Sequence, residues 1–199
     1  MPRSFLIWVE EGPMDILLKR GDIFLTKGKG PISWGIRFFT RSIGERRTKV
    51  NHVGVVVEEG TLQTAVVVEA SAKVKRHRLW KRYGPPAKDD VAVYRPKNLN
   101  DEQIVTIVQE AEKQVGRTFG TFKLFAHLLD WVLLGAYVFR RLARNGDYPI
   151  CSWLVAHAFS EAGKNFGVEP SAAAPDDIWD FIQEHPQIYE TIHPLKRLW

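Results

Sequence analysis

Cys151 is the single cysteine of this 199-residue chain, and it opens the segment CSWLVAHAFSEAG, which reads as a helix closed by a glycine. Far upstream, His52 stands in the strand-like run VNHVGVVV, and Glu69 ends a second such run, AVVVEA. These three residue types make a cysteine nucleophile when they meet. A helix N-terminus offers unpaired N–H groups and a partial positive charge, both of which favour thiolate over thiol. An imidazole takes the thiol proton, and a third polar group fixes the imidazole's tautomer and orientation. The expected roles are Cys151 as nucleophile, His52 as base and Glu69 as the orienting carboxylate. A lone cysteine is also a common small core hydrophobe, and Ile150, Trp153 and Leu154 flank this one.

The other histidines fit this chemistry less well. His157 lies on the Cys151 helix about one and a half turns further on, largely off its face. His127, His185 and His193 have no partners at metal-ligand spacing, and one cysteine excludes both an internal disulfide and a cysteine-rich zinc site. No metal and no cofactor are expected. Asp176 and Asp177 read as first-turn partners of a helix dipole.

The elements that must position these residues can be read from the pattern. GDIFLT is a short strand, and KGKGPISWGIRFFTRSIGERRTK is a basic, aromatic, glycine-rich loop. Residues 50–57 form a β-branched strand, and residues 62–70 return as its hairpin partner across the EEG turn. VAVYRP is a further strand, stopped by Pro96. A helix begins at Asn100, where Gln103 completes a box-like cap, with a stripe of Ile104, Ile107, Val108, Ala111 and Val115, and ends at Gly116. Residues 119–144 read as a second long helix with Arg140, Arg141 and Arg144 at its C-terminal end. SAAAPDDIWDFIQEHP starts a last helix on a proline and stops it before Pro186. The pattern predicts an α+β class, a small antiparallel sheet packed against helices, in one domain over residues 1–199 with its core at about 21–182.

Composition narrows the function classes. With 45% hydrophobic and 26% charged residues, the chain has the balance of an ordinary globular protein rather than a disordered one. The longest apolar stretch, 119–139, carries Lys123, His127 and Asp130, which argues against a membrane span and for an amphipathic helix on a core or a membrane surface. FLIWV near the N-terminus is too short for a secretory signal, so a cytoplasmic location is expected, with release by lysis or a dedicated export route as the alternative. The net charge of +5 gathers at Arg37, Arg41, Arg46, Arg47 and Lys49, at residues 73–82, and at Arg140, Arg141 and Arg144. Such clusters are usually solvated surface, and they also suit an anionic polymer or a membrane surface. No zinc-finger, RNA-recognition or glycine-rich phosphate motif is present, so nucleic acid is not an expected partner.

The ordered set GDIFL, NHVGVVVE, VVEA, VAVYRP, CSWLVAHAFSEAG and APDDI resembles the circularly permuted branch of the NlpC-type, papain-like cysteine peptidase superfamily. In that branch a histidine strand and a polar-residue strand precede the cysteine helix, the reverse of the papain order. The resemblance spans roughly Gly21 to Ile182. It implies a permuted papain-like fold with the nucleophile at Cys151, the general base at His52 and the third residue at Glu69. The two departures are specific. Relatives carry a tyrosine, a candidate oxyanion donor, where GRTFG places Phe119, which cannot donate; Tyr148 or the Cys151 backbone N–H would then serve. The apolar segment 122–143 is an enlargement beside the site, able to cover a groove, bind a lipid chain or add core.

The resulting expectation is a cysteine hydrolase, a thiol peptidase or amidase, that cleaves an amide bond through an acyl-enzyme. The resemblance implies a cell-wall (peptidoglycan) peptide as substrate. Relatives that resemble lecithin retinol acyltransferase imply instead a lipid-linked acyl substrate handled by the same triad. A binding module that keeps the fold without turnover is the reading from a different class, and Phe119 motivates it.

Overall fold

A computed structural model describes residues 16–28, 49–71, 73–118 and 151–199. Within them the chain is α+β, with a six-stranded antiparallel sheet, a two-stranded sheet and four α-helices. The strands are β1 (Leu17–Leu18), β2 (Ile23–Lys27), β3 (His52–Glu58), β4 (Gly60–Thr61), β5 (Val66–Ala70), β6 (Val74–Arg78), β7 (Asp90–Pro96) and β8 (Tyr189–Lys196). The helices are α1 (Leu79–Tyr83), α2 (Asp101–Lys113), α3 (Cys151–Glu161) and α4 (Pro175–Glu184). The main sheet runs β6-β5-β3-β2-β7-β8, and β1 pairs with β4 apart from it.

β3 occupies the middle of the sheet, and both of its faces are covered. Val53 to Val57 are therefore all buried, and the run is continuously apolar rather than alternating. On one face Ile23, Leu25, Val53, Val55 and Val68 pack against α2, α3 and α4. On the other, Phe24, Val56, Val67 and Val93 pack with Leu79 and Tyr83 of α1 and with Leu198. His52 and Glu69 belong to this second face, by strand alternation with Val56 and Val67.

The β3–β5 hairpin forms as expected, but its return strand begins at Val66 rather than Leu62. The intervening residues turn back on themselves, with Thr64 and Ala65 N–H donating to the Thr61 carbonyl, and Leu62 drops into the second-face core. The basic run after Glu69 is not merely a solvated stretch: it forms the edge strand β6 and then α1. The core also extends beyond residue 182, because β8 adds a sixth strand and Leu198 is fully buried.

The helix signals hold where they were strongest. Asn100 accepts from the Gln103 N–H at 2.8 Å while the Gln103 side chain accepts from the Asn100 N–H at 3.1 Å, a complete capping box. Ile107 and Ala111 are the buried members of the α2 stripe, whereas Val115 lies beyond the helix end and is exposed. Gly116 follows with a φ of +89°, a left-handed turn that glycine adopts without a Cβ penalty. α4 starts on Pro175, and Asp177 accepts the Ala174 N–H at its N-terminus. Asp176 is buried and accepts the Lys49 N–H at 3.2 Å, a tertiary tether in addition to its place in the helix's first turn.

Candidate active site

Cys151 is the first residue of α3, and α3 packs on β3 and β5 through Leu154, Val155 and Ala158. Ser152 anchors this end of the helix, its hydroxyl donating to the Ala173 carbonyl at 2.5 Å. The thiol is thereby held at the start of β3, close to the His52 ring and to the N–H groups of Val53 and Ser152, which favour its thiolate form. His52 is the first residue of β3. Its Nε2 donates to Glu69 Oε2 at 2.9 Å, which leaves Nδ1 as the ring nitrogen for the thiol.

The three residues named from sequence therefore meet, and the pairing register explains how. Gly54 is the cross-strand partner of Glu69, so His52, two residues earlier on the same face, is its diagonal neighbour. At this distance an imidazole and a carboxylate can touch without distorting either strand.

Three further residues complete the surroundings of Glu69. Tyr83 donates its hydroxyl to Oε2 at 2.6 Å. Arg82 Nη1 lies 2.9 Å from Oε1, close enough for ion pairing but without hydrogen-bond alignment, and His77 Nε2 lies 3.1 Å from the same oxygen. The His77 ring is itself fixed by Nδ1 donating to the Arg78 carbonyl at 2.9 Å. Glu69 is 0% exposed, with His52 and Tyr83 donating to Oε2 and the Arg82 cation beside Oε1. His77, Arg82 and Tyr83 were hidden in the basic cluster. A signal was present nonetheless: Leu79 and Tyr83 stand four residues apart in a mostly basic run, the spacing of a buried helix face.

The electrostatics follow from burial and charge. Burial alone would lower the His52 pKa, but the Cys151 thiolate and the Glu69 carboxylate together push it up to about 10. Burial alone would raise the thiol, yet His52 and the two backbone N–H groups hold Cys151 below its ordinary value. Glu69 is likewise opposed by burial and held well below the usual carboxylate range by His52 first, then His77 and Arg82. Tyr83 is raised well above its ordinary value by burial and by the Glu69 charge, so it stays a protonated donor. The arrangement supports a thiolate–imidazolium pair.

The remaining histidines have other work. His157 stacks on Trp153 with ring centres 4.6 Å apart, and its Nδ1 lies 3.8 Å from Glu161. His185 hydrogen-bonds the Phe181 carbonyl and stacks on that ring, and His193 is buried with Nδ1 on the Val91 carbonyl. Tyr148, Phe119 and the apolar segment 122–143 lie outside the described residues. No helix among the described residues is long and apolar enough to cross a membrane.

No family model matches the chain, and no curated protein matches it. Among solved structures it is similar to the crystal structure of the metalloprotein yiiX from Escherichia coli O157:H7 (DUF1105). The TM-score is 0.50 at 18% identity, over 90% of this chain and 86% of that one. At that identity the likeness is one of fold. The neighbour's description as a metalloprotein can be tested on the residues here. Among the described residues no group of three or more His, Cys, Asp or Glu side chains could hold a metal ion. At the thiol itself, Glu69 already occupies His52 Nε2, leaving one sulfur and one imidazole nitrogen, which is short of a zinc donor set. These residues do not fit a metal centre.

Proposed function

We propose that this protein is a cysteine hydrolase of the permuted papain-like type that cleaves an amide bond through a Cys151 acyl-enzyme. The observation that carries this reading is the unbroken chain from the Cys151 thiol through the His52 ring to the fully buried Glu69 carboxylate. The thiolate attacks the carbonyl carbon, His52 gives its proton to the leaving amine, and an S-acyl bond joins substrate to enzyme. Water then attacks with His52 as base, and the thiolate departs as the acid is released. The Cys151 backbone N–H at the start of α3 is the group available to the developing oxyanion. No cofactor is required by this sequence of steps.

A cell-wall peptide is the substrate class we favour. Exposed Lys73, Lys75, Arg78 and Lys81 line the edge strand β6 and α1, beside the strand that carries Glu69, and would suit an anionic polymer. The test is amine release from peptidoglycan-derived peptides in aqueous buffer, with Cys151→Ala as the control, alongside iodoacetamide labelling of Cys151. Release that is absent in the control supports the proposal. Activated labelling with turnover only of vesicle-borne acyl lipids would replace the substrate class with lipid esters or amides. Labelling that rises only near the ordinary thiol value of about 8.5 would point to a binding module without turnover.

A further inference from the structure

We propose that Arg82 and Tyr83 are positioning residues for deacylation, holding Glu69 as an oriented carboxylate during the step in which His52 is a neutral base. The inference rests on the hydrolase reading and assigns a step of that reaction to groups outside the triad. Its basis is the set of groups gathered on one buried carboxylate, two donors on Oε2 and a cation beside Oε1. Oε2 takes His52 Nε2–H at 2.9 Å and the Tyr83 hydroxyl at 2.6 Å, while Arg82 and His77 stand 2.9 and 3.1 Å from Oε1. One histidine would suffice to orient a carboxylate. The added Tyr83 donor and Arg82 cation imply a state in which that histidine does not suffice.

The acyl-enzyme is such a state. In the resting pair, the imidazolium of His52 itself compensates the Glu69 charge. Acylation removes this compensation, because the thiolate becomes a thioester and the leaving amine carries away the His52 proton. A fully buried carboxylate facing a neutral ring would then tend to take up a proton. A protonated Oε2 could not accept from both His52 and Tyr83, and the ring would lose both its tether and its basicity at Nδ1. Arg82 keeps its charge at every step, and Tyr83 keeps its proton, so Glu69 stays an acceptor. The other charged groups in reach are Asp89, which also acts on Arg82 and Tyr83, and Lys75, the cross-strand partner of Glu69.

The supported step balances simply. Water oxygen bonds to the acyl carbon as one water proton passes to His52 Nδ1. The C–S bond breaks, and the carboxylic acid leaves. What remains is the Cys151 thiolate beside the His52 imidazolium, the resting pair.

The experiment separates the two half-reactions with 4-nitrophenyl acetate. Nitrophenol release in a rapid-mixing experiment reports acylation. The acetyl-enzyme, formed at acid pH and desalted, is then brought to neutral pH, and its decay is followed by intact-protein mass. Three variants are compared with the native chain: Arg82→Gln, Arg82→Lys and Tyr83→Phe. Tyr83→Phe can retain the edge contact of its ring with Phe24, and the Arg82 side chain is 43% exposed, so thermal melts serve as the folding control. The expected result is acylation within about threefold of native and acetyl-enzyme decay slowed by about tenfold or more in Arg82→Gln, with Arg82→Lys in between. Tyr83→Phe should shift the decay in the same direction. Acylation and decay slowed together, or decay unchanged, would overturn the inference while leaving the hydrolase reading intact. Failure of the native chain to form an acetyl group on Cys151 would remove both.

Discussion

A Cβ placed on Gly54 would lie 2.4 Å from the Phe24 ring and 2.8 Å from the Val68 carbonyl oxygen. The Phe24 ring in turn sits 6.5 Å from the His52 ring and 5.7 Å from that of Tyr83, so Gly54 makes room for the aromatic that shields the site. Gly54→Ala should therefore destabilise the fold by about 1–3 kcal/mol, the usual cost of overpacking. The same substitution should slow Cys151 labelling, because Phe24 must shift towards its neighbours. Adding Phe24→Leu should recover part of the stability but expose His52. Urea unfolding of the two variants, with labelling rates, checks both statements; a Gly54→Ala protein of native stability would contradict the packing.

The sequence made the candidate triad legible because each member stands at the end of a strongly patterned element. Valine runs announce β3 and β5, and Cys151 starts a helix whose glycine stop is plain, with Gly163 at a φ of +71°. What it could not show was the register. Whether Glu69 opposes Gly54 or a neighbouring residue decides if it faces His52 or the opposite side of the sheet. β6 was illegible for a physical reason: VKRHR is an edge strand, and edges carry charge to resist further pairing, so it resembles surface loop. β8 hid behind Pro194, which an edge strand tolerates.

Glu69→Gln tests the donor-rich surroundings of the carboxylate. A glutamine can present its oxygen to His52 and Tyr83 only by turning its NH2 group towards Arg82 and His77, which approach Oε1. The amide is thus a poor isostere here. Labelling of Cys151 should fall nearly as far as in His52→Ala, and stability should drop by about 3 kcal/mol, the scale for breaking a buried pair. Addition of Arg82→Gln should restore part of the stability by removing the opposing cation. Equal stabilities for Glu69→Gln and the native chain would show that no acceptor is needed at the Oε1 position beside Arg82.

The thiolate–imidazolium pair sets a pH window for stability. His52 is raised from 6.5 to about 10, so its contribution is present below 6.5 and is lost as pH rises through 10. Cys151 is lowered from 9.0, so its contribution is present above 9.0 and is lost as pH falls through the folded value. Between 6.5 and 9.0 the proton that His52 keeps is the one Cys151 gives up. The pair's contribution should be level there and decline on both sides. The stability difference between the native chain and the His52→Ala/Cys151→Ala double variant, measured by urea unfolding across pH, should show this plateau. Glu69, lowered from 4.5, adds a separate loss in acid as it takes up its proton. A difference that climbs steadily from 6.5 to 9.0 would mean that the two groups titrate independently.

The α2 cap offers a control remote from the chemistry. Gln103 closes the capping box with Asn100 and also donates from Nε2 to the Ala162 carbonyl at 3.1 Å, joining the start of α2 to the end of α3. Asn100→Ala removes one cap and should cost about 1 kcal/mol. Gln103→Ala removes both the return bond to Asn100 and the bond to Ala162, and should cost about 1–2 kcal/mol. Ala162 lies at the opposite end of α3 from Cys151, where the helix closes at Gly163. Labelling of Cys151 should therefore keep its native rate and pH dependence in both variants, even as their melting temperatures fall. A change in labelling with Gln103→Ala would show that the seating of the whole helix, beyond its first turn, tunes the thiol.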